Sequence, residues 1–554
     1  MKNIQTYDIK KYFFLSIIFL SSSYFVLIPF LKYETWLGGH DSTGTIFNAW
    51  SMVKTLREDF HLPLYWQPDN CGYKGNPYWA FYQPLSYAMV YFSSIFTSLF
   101  DRNYLFSALK LAVYLSFLIS EIGMYFLLRS IFRDSKIREL VSVYGAIIYL
   151  LSPYRFIDLY SRNAYSELWT FPWMPFYFLG FYKLFFLKEK NGWILIAIST
   201  PLLIFSHLMP SFFFILIVTV GFLFFKLIQR NLVSFFKENK SQIIWWFIGS
   251  MTGGAISLLY ILPAMNVIKY INGDIMGFDR VSLDNVLNHI SWCYDMLDLL
   301  NFKGSWQVGQ TFLISFFVLN FLLLTKRKSH NVNLMVFLNI LVIITFVFLM
   351  SRIFWEHIPA ILYSLQFSWR LFLIYSFFCS IILALLINEL NLRIPVLVLI
   401  LAFHFYTGER FLHYGGEDIV AKYYDVESWL NTLYKKHFTT TNNYSPRSIL
   451  PKTSNPVFFN FDHADQLGDN ERYSNTYLMN LKPGINILSH EHSGNTFIYE
   501  LSLDHASFLI FKQFFYPSWE LYIDSKKSDI YLTEKGYIGF EVPKGKHTVK
   551  IRSN

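Results

Sequence analysis

Three groups of polar residues stand out in an otherwise apolar chain. In GGHDSTGTIF, residues 38–47, His40 and Asp41 follow a glycine pair just after the first long apolar run. In SPYRFIDLYSRNAYSELW, residues 152–169, Arg155, Asp158, Arg162 and Glu167 lie between two further runs. The third group comprises His207, shortly before Pro210, and Gln366, Trp369 and Arg370 at the head of a later run. An ionised carboxylate can take a proton from an attacking hydroxyl, and arginine holds a phosphate through two parallel hydrogen bonds. Each group also has a plain structural use. Asp41 precedes helix-spaced apolar residues and could cap their free N–H groups. Arg155, Asp158 and Arg162 follow i, i+3, i+7 spacing and would neutralise one another on one helical face. Arg370 could reach outward to headgroups, although an arginine at that depth otherwise needs a partner or a ligand.

The pattern excludes several chemistries. There is no P-loop, HExxH, GxSxG or zinc-type cysteine arrangement. His40 and Asp41 are adjacent, which suits a metal poorly unless Asp158 or Glu167 joins them. A divalent metal is therefore only weakly supported, and no other cofactor is expected. Three cysteines are too few for a disulfide framework. Cys71 and Cys293 both fall in polar stretches and could pair, or could be unrelated thiols.

What must position these residues is a set of membrane helices. The chain has 554 residues, 54% hydrophobic and only 15% charged, where a soluble chain carries roughly a quarter charged. Apolar runs occur near 12–31, 84–100, 104–128, 139–152, 168–187, 193–209, 211–229, 243–263, 308–325, 333–350, 366–388 and 394–406. The first is too long and uninterrupted for a signal-peptide core. Lys2, Lys10 and Lys11 place the amino terminus in the cytoplasm, and basic clusters at 129–138, 188–190, 230–240 and 326–328 belong on the same side. That arrangement requires 84–100, which opens at Pro84 and is rich in serine, to lie in the interface instead of crossing. Eleven crossings then remain, and the carboxyl terminus lies outside. The net charge of +9 reads as topology, with no nucleic-acid partner.

The expected outer surface comprises loops 32–103, 153–167 and 264–307 and everything beyond 408. LPLYWQPDNCGYKGNPYWAFYQPLSY, within the first loop, is dense in proline, glycine and aromatics. Tyr73 and Tyr82 there could be interface-belt residues or stack on sugar rings. Residues 409–494 read as an irregular connector. From 495 onward, TFIYELSL, ASFLIFKQ, WELYID, YIGFEV and HTVKIR alternate like short strands with proline and glycine punctuation, predicting a small β domain of sandwich type.

The order GGHDS, LPLYWQPDNCGYKGNPYWAFYQPLSY, YRFIDLYSRNAYSELW, SHLMPS, LQFSWR, closing with FYPSWELYIDSKKSDIY and GFEVPKGKHTVKIR, resembles a bacterial YfhO-like membrane family. That family includes proteins labelled "6-pyruvoyl-tetrahydropterin synthase-related" and is similar to the GT-C glycosyltransferase superfamily. The resemblance implies a GT-C-like helical domain over 1–408 in the bacterial cytoplasmic membrane, serving the cell envelope. It implies transfer of a sugar from a polyprenyl-phosphate donor to a glycan, lipid or protein acceptor on the outer side. Carried over, the acid of the first outer loop is Asp41, acting as general base with inversion at the anomeric carbon. Arg155, Arg162 and Arg370 would hold the donor phosphate. His40, Tyr73, Tyr82, Asp158, Glu167, His207 and Trp369 would bind substrate or support the site. The paired-acid metal signature of the oligosaccharyltransferases is lacking. Two other readings remain: a non-catalytic transporter or flippase of lipid-linked sugars, and a scaffold whose β domain does the binding. A transporter should carry polar residues along a path to the cytoplasmic side, whereas these cluster toward the outer half, and no internal repeat is visible.

Overall fold

The computed structural model describes residues 2–31, 36, 38–68, 75–101, 104–229, 232–267, 282–290, 293, 309–325, 331–409, 477–479, 483–516, 518–533 and 537–553. The chain forms two compact units, one from 1–46, 85–258 and 280–423, the other from 47–84, 259–279 and 424–554.

Helices α1 (Lys2–Leu31), α2 (Ser42–Glu58), α3 (Leu85–Thr97), α4 (Tyr104–Ile131), α5 (Arg138–Leu150), α6 (Trp173–Phe185), α7 (Gly192–Ser206), α8 (Leu208–Ile228), α9 (Lys240–Val267), α10 (Gln310–Leu324), α11 (Val332–Met350), α12 (Phe372–Leu390) and α13 (Ile394–Glu409) follow in order. Among the described residues, seven helical stretches are long and apolar enough to cross a bilayer: Lys10–Ile28, Tyr104–Ile131, Arg138–Arg162, Leu208–Ile228, Lys240–Asn266, Val332–Met350 and Ser368–Leu390. Four shorter apolar helices accompany them, including α3, the expected interfacial segment. This is a multi-pass membrane protein. Its helices expose large apolar side chains such as Phe224, Met251, Phe317 and Phe321, as a surface solvated by hydrocarbon does, while their backbone groups are satisfied within each helix.

In the first unit α12 is buried all round. Phe377 and Phe378 pack on Phe178 of α6 and Phe214 of α8, with ring centroids 5.5–6.1 Å apart. An acid at this depth must be paired, since stranding it in hydrocarbon is costly. Glu121 of α4 accepts hydrogen bonds from Ser22 at 2.7 and 2.9 Å and from Ser23 at 3.1 Å, both on α1.

The segment 153–167, expected as an outer loop, is largely helical. Pro153 opens a new turn, Pro153–Phe156, at a position where its missing N–H costs no hydrogen bond. A π-helix, Ile157–Arg162, follows and ends at Asn163 in the left-handed conformation (φ 57°). The wider turn of the π-helix breaks the 3.6-residue register, so of the face expected for Arg155, Asp158 and Arg162 only the Asp158–Arg162 pair forms. Arg155 is wholly buried, donating to Ser120 Oγ at 2.5 Å and Ser116 Oγ at 3.5 Å. Its guanidinium lies 3.7 Å from the Phe117 ring centroid.

The second unit contains two antiparallel sheets. Their strands are β1 (Leu478–Met479), β2 (Ile485–Ser493), β3 (Thr496–Leu503), β4 (Ser507–Phe514), β5 (Trp519–Ile523), β6 (Lys526–Ser528), β7 (Tyr531–Leu532), β8 (Tyr537–Val542) and β9 (Gly545–Ser553). The sheet orders are β1-β4-β8-β7 and β2-β3-β9-β5-β6. Alternate residues of β3 and β5 point inward, as the sequence pattern requires. Strands begin at Leu478, ahead of the expected boundary at 495, because β2 is exposed along most of its length and shows little apolar alternation. The rest of the expected connector, 410–476, lies outside the described residues.

The β core takes in a residue from far away in sequence. Trp66 is 1% exposed, with ring centroids 5.2 Å from Tyr516 and 5.1 Å from Trp519, and its Nε1 donates to Gln513 Oε1 at 3.1 Å. Gly75, at φ 68°, lies against Trp66 and Gln513, where a side chain would overlap both. The end of α2 is tied in as well: Ser493 Oγ donates to Glu58 O at 2.7 Å, and the Gly494 N–H to Glu58 Oε2 at 3.1 Å.

Candidate functional site

The end of the π-helix positions Asp41. A helix terminus leaves its last carbonyls without intrahelical partners. Here the loop before α2 supplies them: His40 N–H donates to Ser161 O at 3.2 Å and Asp41 N–H to Arg162 O at 2.8 Å. Thr45 Oγ1 donates to Asn163 O at 3.1 Å. Gly39 makes this approach possible, since a β-carbon there would overlap the Asn163 side chain.

Asp41 stands at the N-cap position of α2, yet the cap is a main-chain one, its carbonyl accepting from Thr45 N–H at 2.9 Å. Among the described residues its carboxylate makes no hydrogen bond and no ion pair. The carboxylate is reachable by solvent but closely surrounded by protein, the geometry of a recess. That crowding raises its pKa above the ordinary aspartate value, while the positive charges of Arg162 and Arg370, and His40 beside it, pull the other way.

Behind the recess is a buried charge cluster. Arg162 reaches Asp158 Oδ1 at 2.5 Å and Glu167 Oε2 at 2.9 Å, and donates to the Tyr154 hydroxyl at 3.3 Å. Tyr154 in turn donates to Glu167 Oε1 at 2.7 Å. Glu167 also faces Arg370, whose Nε lies 3.6 Å from Oε2. Burial by itself would push Glu167 up, but the two guanidiniums hold it below the ordinary glutamate range. Among the described residues Arg370 is less engaged than Arg162: it also donates to Leu365 O at 3.1 Å and Gln366 Oε1 at 3.3 Å, and its guanidinium lies 4.9 Å from the Phe367 ring centroid. Trp369 lies under Arg162, 4.3 Å from guanidinium to ring centroid, and Phe367 stacks on Trp369 at 5.1 Å.

The structure therefore brings together His40, Asp41, Asp158, Arg162, Glu167, Trp369 and Arg370 from three distant stretches of sequence. His207, between α7 and α8, lies within electrostatic reach of Glu167 and Arg370, with its Nδ1 buried and unpartnered among the described residues. Arg155 is not in this group, being held by Ser116 and Ser120. Tyr82 belongs to the second unit, stacked on Tyr78 at 4.9 Å. Tyr73, and with it the Cys71–Cys293 pairing, lies outside the described residues; Cys293 itself is a buried free thiol. Among the described residues, no group of three or more His, Cys, Asp or Glu is arranged to hold a metal ion. Two members of the cluster were not anticipated. Tyr154 sits in an aromatic-rich stretch with nothing to mark it, whereas Asn163 is a residue type that favours the left-handed turn it makes.

Fold and site together define a multi-pass helical membrane protein with a charged recess at one end of a span and a separate β unit. No known family profile matches the chain, and no curated protein matches it. Solved structures similar to it include the Archaeoglobus fulgidus oligosaccharyltransferase in complex with Zn and sulfate, at 14% identity and a TM-score of 0.46, over 79% of this chain and 59% of that one. The apo form of that enzyme matches at 12% identity and a TM-score of 0.45, over 80% and 61%. A third crystal structure, tethered to an acceptor peptide containing the NVT sequon via a disulfide bond, matches at 12% and 0.42, over 74% and 56%. The chain thus spans about three fifths of the length of the first two.

Proposed function

We propose that this chain is a GT-C-type membrane glycosyltransferase that moves a sugar from a polyprenyl-phosphate-linked donor to a hydroxyl of a glycan, lipid or protein acceptor on the outer side of a bacterial cytoplasmic membrane. One observation carries the reading: a carboxylate fixed by its own backbone, with no hydrogen bond or ion pair among the described residues, in a recess beside two arginines. A structural aspartate would spend its oxygens on the helix it precedes; Asp41 keeps both available.

For a hydroxyl acceptor, Asp41 takes the proton as the acceptor oxygen attacks the anomeric carbon. The bond from that carbon to the phosphate oxygen breaks, and its electron pair leaves with the lipid phosphate. One displacement inverts the anomeric centre. A carboxylate whose pKa is raised is a stronger base for that proton. Arg370, lightly held, would meet the phosphate oxygens, and Arg162, gripped by Asp158 and Glu167, would add fixed positive charge behind it. The resemblance to YfhO-like proteins, carried by the sequence motifs, points the same way.

The test is transfer of a polyprenyl-phosphate-linked sugar by the purified protein in lipid vesicles. Asp41→Asn is expected to reduce turnover about a hundredfold or more while leaving donor binding intact. Undiminished transfer would remove Asp41 from the mechanism.

A further inference from the structure

At the opposite end of the Arg138–Arg162 span is a second concave site. The last turn of α4, the first turn of α5 and the end of α6 enclose it, and Arg129, Arg133, Arg138 and Lys183 line it. Arg138 and Arg162 bound one stretch long enough to cross a bilayer, so this pocket and Asp41, held by the far end of that stretch, lie toward its opposite ends.

The local charges do not cancel. Glu139 takes Lys11 at 2.7 Å, Arg129 at 3.1 Å and Arg138 at 3.2 Å. Lys183 pairs with Glu189 at 3.0 Å, and Arg133 with Asp134 at 3.4 Å. Five cations thus face three carboxylates, leaving two positive charges over. The N-cap of α5, Ile137, supplies no side-chain acceptor to the N–H groups of the first turn, which adds positive potential on the same side. The pocket also has an apolar wall of Leu187 and Phe126, and Phe126 is 41% exposed on the outer surface of α4.

We infer that this pocket binds a lipid with an anionic phosphate headgroup, the phosphate among Arg133, Arg138 and Lys183 and an acyl chain along Phe126. The arginines account for the phosphate, which a free anion would share; the apolar wall, continued by the exposed Phe126 ring, selects the lipid. This site does not depend on what occurs at Asp41.

The experiment titrates the purified full-length protein in neutral detergent with phosphatidylglycerol, phosphatidylcholine or inorganic phosphate, reading the thermal midpoint and lipid adducts by native mass spectrometry. Phosphatidylglycerol is expected to raise the midpoint saturably and phosphatidylcholine to do so much less. Arg133→Gln should raise the half-saturating concentration about fivefold, and Arg133→Gln with Lys183→Gln about twenty- to thirtyfold. The control Lys546→Gln with Lys550→Gln, on β9, should leave it unchanged. Arg133 is more than half exposed, so the single variant suffices if the double one does not fold. Equal response to both lipids, or an unaltered titration in the single variant, would overturn the site. A midpoint shift reproduced by inorganic phosphate alone would overturn the lipid assignment.

Discussion

Asp41 and Glu167 are both carboxylates beside the same two arginines, yet they are held in opposite ways. Glu167 is locked between Arg162, Arg370 and the Tyr154 hydroxyl. Glu167→Gln strands part of a buried guanidinium charge, and the expected cost is about 3–5 kcal/mol, read as lower thermal stability and poor extraction in folded form. Asp41→Asn should do neither, because among the described residues its carboxylate makes no hydrogen bond; a typical cap loss of about 1 kcal/mol is not expected from it. The two carboxylates also separate by pH. In the proposed mechanism Asp41 acts in its ionised form, so kcat/KM should rise with pH through the raised pKa of Asp41, an acid limb above the ordinary aspartate range. The stability linkage has the opposite slope. A group that holds its proton more tightly when folded favours the native state at low pH and loses that contribution as pH rises through the folded pKa. Asp41→Asn should abolish both effects.

The element that brings the site together is the π-helix ending at Asn163, and it marks where sequence reading stopped. The acid, the arginines and the three stretches they come from were legible, because polar residues beside membrane spans are costly without a purpose. Arg155, assigned to the same face as Arg162, went elsewhere: helical spacing assumes a constant turn, and nothing in IDLYSR announces five-residue hydrogen bonding. Nor does GGHDS reveal that its own N–H groups cap a helix more than a hundred residues away. The close packing of Gly39 on Asn163 is correspondingly sensitive. Gly39→Ala should displace Asp41 with the membrane helices intact and cost transfer about ten- to a hundredfold, measured as kcat against unchanged thermal stability. Strands β3, β4, β5, β8 and β9, by contrast, were legible from alternation alone; the exposed β2 and the short β1, β6 and β7, too brief to show a period, were not.

For the whole molecule, the second unit is stabilised by a tryptophan from near the start of the chain. Trp66→Ala removes a wholly buried indole from a β core otherwise built of the last eighty or so residues, and about 3–5 kcal/mol of that unit's stability should go with it. Faster hydrogen exchange in β3, β4 and β5 of the full-length protein would show the loss. The same contact constrains biosynthesis. Trp66 and its hydrogen-bond partner Gln513 are 447 positions apart, so at roughly 5–20 residues per second the indole is made some 20–90 s before its pocket exists. During that interval an aromatic, proline-rich segment that cannot complete its fold needs protection by other means, and a chain truncated before Leu478 would leave it unprotected for good.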